Sequence, residues 1–492
     1  MNFKEALFYL FITISVGAWM ILMAINIISL ILCKYQYKTY REIKDEPITN
    51  SKDAPFVSVL RPLCGLEYKL KQNLESSFLQ DYPNFELIFN VKSSEDACIP
   101  LVLELIQKYP NIDAKLIIDE DQKGVNPKVS NLLKAYEQSR HDLIWVCDSN
   151  IFLNKGCLSR SAKLMMEENV GLVHHLPVGI DGTTFGSQLE SMFLNTAHAK
   201  MYTLLNYFIF EPCVVGKSCL YRKSDLACVG SMKAFENQLA EDFFIAKAIW
   251  DQGLKIKMPY DLAYNRLGSI STSAYFNRRS RWCRLRKYIV PQATIIEPFT
   301  ESILNGMLAS YGFSYLLNIS IFNFFAYHLV VWFLLDFQLN QQLIGNKLNL
   351  KELQRFMVIW AFRELTALPL YLYSVLGSTF TWRGQTYRIT SGSYAVPEDN
   401  VSLFHPVFHH PIFLKFIDYL FYSIDFIADI LMKSQRNGNP EMEFTPKSSP
   451  QSISKPLLET DATSYSSCSH SSYQMGLDSE EELRDIDFPN SK

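Results

Sequence analysis

Three aspartates and one arginine-rich run in this 492-residue chain have the residue types and the setting for chemistry on an anionic group. Asp96 follows the apolar run FELIFNV within SSED, and Asp148 directly follows DLIWVC in Cys147-Asp148-Ser149-Asn150. Asp242 opens the helical stretch AEDFFIAKAIWDQG, and Arg278-Arg279-Ser280-Arg281-Trp282 lies just ahead of a long apolar block. A carboxylate at a strand end can hold Mg2+ or Mn2+ against phosphate oxygens, and one at a helix start can accept a proton. Guanidinium forks fit diphosphate oxygens. Each feature also has a plain structural alternative. Asp148 can cap a helix, Asp96 can serve a turn, and Asp242 can be a simple cap with Glu241 as its solvated neighbour. The arginines can be a positive membrane flank or a lipid-headgroup belt. No G-x-G-x-x-G, P-loop or G-x-S-x-G spacing occurs, which argues against dinucleotide, P-loop and serine-hydrolase chemistry.

The elements that must position these side chains are read from alternation between residues 55 and 285. Strand-like apolar runs are Phe56–Leu60, Phe85–Val91, Ala114–Ile118, Asp142–Cys147, Gly171–His174 and Val214–Tyr221. Between them lie the amphipathic stretches Leu66–Leu79, Ala97–Tyr109, Pro127–Ser139 and Gly156–Glu168, two of which meet Tyr82-Pro83 and Tyr109-Pro110 where a proline should end a helix. Strand–helix alternation predicts an α/β domain with a mostly parallel sheet covered on both faces. Ligands of such sheets gather at the carboxyl ends of the strands, where Asp96 and Asp148 fall.

Around this domain the chain is apolar. It is 48% hydrophobic and only 20% charged, and its formal charge of −3 excludes a strongly cationic nucleic-acid binder. Ala6 to Cys33 runs 28 residues without a charge, long enough to span a bilayer as a helix. Lys34, Lys38, Arg41 and Lys44 follow it, so the positive-inside rule places residue 34 onward in the cytosol. A second uncharged run, Ser302 to Leu335, is one long tilted helix or a tight pair. A third, Phe356 to Trp382, is interrupted by adjacent Arg363 and Glu364, which would need separate partners on a helix. Asp418, Asp425 and Asp429 share one face of a predicted interfacial helix over 403–432, and the Ser-rich, acidic stretch 433–492 reads as a disordered tail. The ten cysteines form no Cys-x-x-Cys pair and read as reduced thiols. The predicted organisation is therefore a transmembrane anchor at 1–34, a cytosolic catalytic domain at 55–290 and a membrane region at 302–382.

In this order, Asp96, CDSN at 147–150, Glu241-Asp242 and R-x-x-R-W at 278–282 resemble the membrane glycosyltransferases with three aspartates plus (Q/R)-x-x-R-W. VSVLRPLCGLE (57–67), GVNPKVSNL (124–132), GLVHHLP (171–177) and WRGQTYR (382–388) are similar to the ceramide glucosyltransferase family, over roughly residues 10 to 390. The resemblance implies a GT-A-like (Rossmann-like) fold carried between N- and C-terminal transmembrane helices. It further implies transfer of glucose from UDP-glucose to the primary hydroxyl of ceramide, with inversion, by a domain facing the cytosol at the Golgi membrane. The implied roles are Asp148 for the Mg2+ or Mn2+ ion, Asp242 as general base, Asp96 beside the nucleotide, and Lys128, Arg278 and Arg281 on the donor diphosphate. Trp282 and His198 would border the acceptor. For Lys128 an exposed helix lysine is the alternative, and for His198 a structural histidine. The chain departs from the family pattern at Ser93 and Asn150, and Lys217 stands where an uncharged residue is typical. Two other functions compete: a related transferase acting on a polyprenyl phosphate or polysaccharide, and a membrane scaffold or transporter built on an inactive transferase fold.

Overall fold

The computed structural model describes residues 2–39, 52–120, 124–208, 211–345, 348–382, 385–389 and 394–397. The stretches 403–432 and 433–492 lie outside the described residues. Ten described strands fall between Val57 and Gly268: β1 (Val57–Pro62), β2 (Phe85–Val91), β3 (Asp113–Ile118), β4 (Leu143–Cys147), β5 (Ile151–Phe152), β6 (Val170–His174), β7 (Leu176–Gly182), β8 (Ser218–Arg222), β9 (Lys255–Lys257) and β10 (Leu262–Gly268). Seven of them form one sheet in the order β3-β2-β1-β4-β8-β6-β9. The β3, β2, β1 and β4 strands run parallel, while β8 is antiparallel to both of its neighbours. The sheet is thus mostly parallel with helices over it, as the alternation predicts. β5, β10 and β7 form a second, smaller sheet that the strand–helix alternation does not include.

Period-two alternation divides the core between the two faces of the large sheet. Trp145 joins Phe89 and Leu87 in one buried cluster, whereas Ile144 and Val146 join Leu60, Ile88 and Tyr221 in the other. Both faces are covered, so β4 is buried along its whole length and only its carboxyl end is free to carry a polar side chain. The strand predicted from Val214 begins later, at Ser218, because Lys217 N–H bonds back to Val215 C=O at 2.7 Å in a tight turn.

The N-terminal helix runs from Phe3 to Thr39, and the uncharged run after residue 302 is a pair of helices, Ser302–Leu317 and Ile321–Ile344. The break is Asn318, in the left-handed region at φ 53°, a conformation that asparagine tolerates better than most residues. The stretches Phe3–Tyr37 and Ile321–Ile344 are long and apolar enough to cross a membrane. Both present apolar side chains outward, among them Ile14, Ile21, Phe322 and Val330. His328 ties the bundle together, accepting from Trp19 Nε1 at 2.9 Å and facing Ser302 C=O at 2.9 Å.

The helix Leu350–Leu376 follows, and in it Arg363 and Glu364 each find a partner of their own. Arg363 pairs with Glu301 at 2.8 Å and Ser302 donates to Glu364, and beyond the expectation the two also pair with one another. The region expected to stay in the membrane to residue 382 ends instead in β11 (Thr379–Trp382), the first strand of a third sheet with β12 (Gln385–Ile389) and β13 (Ala395–Pro397). Leu239, ahead of Asp242, packs with Leu285, Phe380 and Ile389, so this sheet braces the approach to that aspartate.

Candidate active site

Backbone register brings the first two charged groups together. β4 and β8 pair antiparallel with Cys147 opposite Ser218, and one step further Asp148 N–H donates to Lys217 C=O at 3.0 Å. Cross-strand neighbours meet through their side chains, and Lys217 Nζ lies 2.9 Å from Asp148 Oδ2. The other carboxylate oxygen, Oδ1, is 2.9 Å from Lys128 Nζ, which reaches in from the first turn of the helix Pro127–Glu137. Asn126 caps that helix, its Oδ1 accepting from Lys128 N–H at 2.9 Å, as Asn-Pro at a helix start should. Its amide nitrogen also donates to Glu241 Oε2 at 3.0 Å, so one cap residue sets Lys128 against Glu241. Lys128 Nζ completes the cluster 3.2 Å from Glu241 Oε1 and 2.6 Å from Gly216 C=O.

Asp242 enters from the start of the helix Glu241–Trp250. Its carboxylate accepts Gly216 N–H at 2.7 Å and Phe243 N–H at 2.9 Å. A Cβ on Gly216 would stand 2.9 Å from Lys128 Nζ and 3.1 Å from Asp242 Cβ, so glycine permits the close approach of three chain segments. Behind them is an apolar-walled cavity of about 20 Å3, room for one water.

The environments drive the two aspartates apart. Burial raises the Asp148 carboxyl, but the Lys128 and Lys217 ammonium groups outweigh it and hold the group at about 2. Asp242 is pushed up to about 6, first by burial and then by the Glu241 charge, against the opposing pull of Lys128. Burial lowers Lys128, yet Asp148, Glu241 and Asp242 together raise it well above the usual lysine range. At neutral pH Asp148 is a permanent anion, whereas Asp242 sits where a proton can be both taken and released.

A divalent cation fits this donor set in one way. Among the described residues no three acidic, histidine or cysteine side chains form a ready-made ion cage. Asp148 nevertheless presents hard carboxylate oxygens at a strand end, and Mg2+-type sites use one or two carboxylates with substrate phosphates supplying the rest. A metal would have to share Asp148 with, or take it from, the two lysines.

The remaining expected site residues divide. Arg281 is half-buried, and its guanidinium is lowered to about 10 by burial and by Arg278, while the charges of Glu241 and Asp242 oppose the shift. Asp96 has another set of partners: both its oxygens accept Gly65 N–H at 3.0 Å, and Oδ1 accepts Cys98 N–H at 3.0 Å, tying the loop after β1 to the loop after β2. Arg278 is 3.2 Å from the buried Glu190. His198 is buried, stacked on Tyr202 at 5.1 Å between ring centroids and 6.1 Å from the Trp282 ring. Burial, followed by Arg279 and Arg286, lowers it to about 3, so it is neutral at physiological pH.

Two of the plain structural alternatives do not hold. Glu241 is not a solvated neighbour but a buried member of the cluster, bonded to Lys128 and Asn126. Lys128 is not an exposed helix lysine. The basic residues after Trp282 also find work inside the protein: Arg284 donates to Ser374 C=O at 3.3 Å and to Thr379 C=O, and Lys287 to Val375 C=O at 2.9 Å, at the C-terminus of Leu350–Leu376 where cations are favoured. Sequence reasoning missed Lys217 and Gly216 as site residues. The available signal was the β4–β8 pairing, because a strand partner opposite Asp148 is forced next to it.

The mostly parallel sheet, with acids and cations converging beyond its β4 end, has the architecture expected of a GT-A-like fold. Residues 21–395 match the model of glycosyl transferase family 21, and the chain belongs to that family. It is 34% identical to ceramide glucosyltransferase 1 of Caenorhabditis elegans over 72% of this chain and 75% of that protein. It is 33% identical to the ceramide glucosyltransferase of Komagataella phaffii over 68% of this chain and 82% of that protein. Among solved structures, a mannosyltransferase from Pyrobaculum calidifontis in complex with GDP-Man and Mn2+ aligns over 73% of this chain and 96% of that chain, at 15% identity and a TM-score of 0.40.

Proposed function

We propose that this protein transfers glucose from UDP-glucose to the primary hydroxyl of ceramide with inversion, at the Golgi membrane, from a catalytic domain facing the cytosol. The observation that carries the reading is the pairing of an ionised Asp148 with an Asp242 raised to about 6 around one shared lysine, in a chain whose relatives are ceramide glucosyltransferases. Asp242 accepts the proton of the lipid hydroxyl as it attacks the anomeric carbon, and its raised pKa matches that task at neutral pH. Gly216 N–H and Phe243 N–H fix the orientation of the carboxylate while it does so. Lys128, Lys217 and Arg281 supply the positive charge that a leaving diphosphate requires. Mg2+ or Mn2+, held by Asp148 together with the diphosphate oxygens, would neutralise that leaving group further. Asp96 keeps the loops after β1 and β2 together on the nucleotide side. Trp282 and the neutral His198 form the apolar wall along which the acceptor arrives from the bilayer.

The test is to incubate membranes containing the full chain with labelled UDP-glucose and ceramide, with and without chelator. Labelled β-glucosylceramide that disappears on chelation and returns with Mg2+ or Mn2+ is expected. UDP release without a labelled lipid product would overturn the reading.

A further inference from the structure

The Lys217 backbone belongs to the turn before β8, and that turn aims the lysine's ammonium at Asp148. The β4–β8 register sets its backbone opposite Asp148, and its ammonium lies 2.9 Å from Asp148 Oδ2 and 3.1 Å from Asn150 Oδ1. Lys128 closes the other oxygen at 2.9 Å. Both carboxylate oxygens of Asp148 therefore carry an ammonium, in a partly enclosed place where the lysine and aspartate side chains are each about a fifth exposed or less. A divalent cation approaching Asp148 meets two positive charges at contact distance, and its binding has to overcome that repulsion. A nucleoside diphosphate changes the balance, because its oxygens are alternative partners for both lysines and ligands for the cation at once.

We propose that Lys217 is a resident counter-cation of Asp148 that keeps the divalent ion out of the empty site and couples its entry to the arrival of the nucleoside diphosphate. The lysine gives up one carboxylate oxygen and takes a phosphate oxygen in exchange, so metal and nucleotide bind with positive cooperativity. This rests on Asp148 being the metal-binding residue of the proposed transferase, but it makes no use of the acceptor or of turnover. The lysine thereby sets the order of binding, and once on the phosphate it adds to the charge offered to the diphosphate.

The experiment measures Mn2+ binding to the purified full-length chain by electron paramagnetic resonance, with and without UDP and with no acceptor present. Wild-type protein is expected to bind Mn2+ weakly alone and about tenfold more tightly with UDP, an ordinary size for coupling between two ligands. Lys217→Met should bind Mn2+ alone about tenfold more tightly than wild type and show a smaller gain on adding UDP. Lys217→Arg, which keeps the charge, should behave as wild type, and unchanged melting temperatures establish that the variants fold. Equal Mn2+ affinity of wild type and Lys217→Met without UDP would overturn the proposal. So would wild-type Mn2+ binding that UDP does not alter, or Mn2+ binding that survives Asp148→Asn. Because no glucose is transferred in these measurements, a failure of the ceramide assay leaves their outcome intact.

Discussion

Two ion clusters in this protein look alike in composition and differ in how far their charges are balanced. Toward the apolar helices, Asp336 is fully buried, with Oδ1 2.7 Å from Lys200 Nζ and Oδ2 accepting Trp360 Nε1 at 2.9 Å. Lys200 also donates to Asn26 at 2.6 Å and sits 4.8 Å from the Trp332 ring. At contact distance one acid meets one base, and Trp360 and Asn26 add neutral partners. At the β4 end, three carboxylates share Lys128, one of them holds a second lysine, and Asp242 is left with a pKa raised to about 6. A closed pair is a lock: it fixes helices Phe3–Thr39 and Ile321–Ile344 to the domain helix Ala199–Phe208. An unbalanced cluster is poised to take up a ligand. Burial of charge alone therefore does not distinguish the two clusters; incomplete neutralisation does.

Substitutions on each side should break this contrast in opposite ways. Asp242→Asn keeps the shape and removes the base, and is expected to lower glucosyl transfer by about 10³-fold, measured by product formation, with the melting temperature unchanged. Undiminished transfer would remove Asp242 from its proposed role. Asp336→Ala strands Lys200 in an apolar environment and should cost about 3–5 kcal/mol of stability, read from thermal unfolding in detergent. The double change Asp336→Leu with Lys200→Met should recover most of that loss, since nothing remains unpaired. A double variant as unstable as the single one would mean that the pair is more than a lock.

Gly216→Ala probes the crowding inside the proposed catalytic cluster. Its new Cβ would press on Lys128 and Asp242, and a displacement of that kind is expected to lower kcat/KM by about 10- to 100-fold with little change in unfolding temperature. The smallest effect concerns pH. Because Asp242 must be unprotonated to accept a proton, kcat/KM should rise with pH through about 6 and level off above it. Lys128 favours the carboxylate form, so Lys128→Met should move that limb to higher pH by about one unit. A limb that stays in place would show that another group controls it.

The sequence by itself determined the elements and the chemical vocabulary. Alternation of apolar residues located β1 to β4, β6 and the core of β8, Asn126-Pro127 announced a helix start, and strand ends delivered Asp148 and Asp96 to one edge of the sheet. These are local signals, readable because burial, capping and proline act over a few residues. Only the tertiary structure decided which charges meet. Lys217 faces Asp148 through a strand pairing between residues about seventy positions apart, Glu241 is buried because Asn126 and Lys128 reach it from another helix, and Arg363 finds Glu301 across a helix contact. Electrostatic balance depends on distances between segments that the chain order leaves free, and so the difference between a lock and a catalytic cluster appears only once the fold has closed.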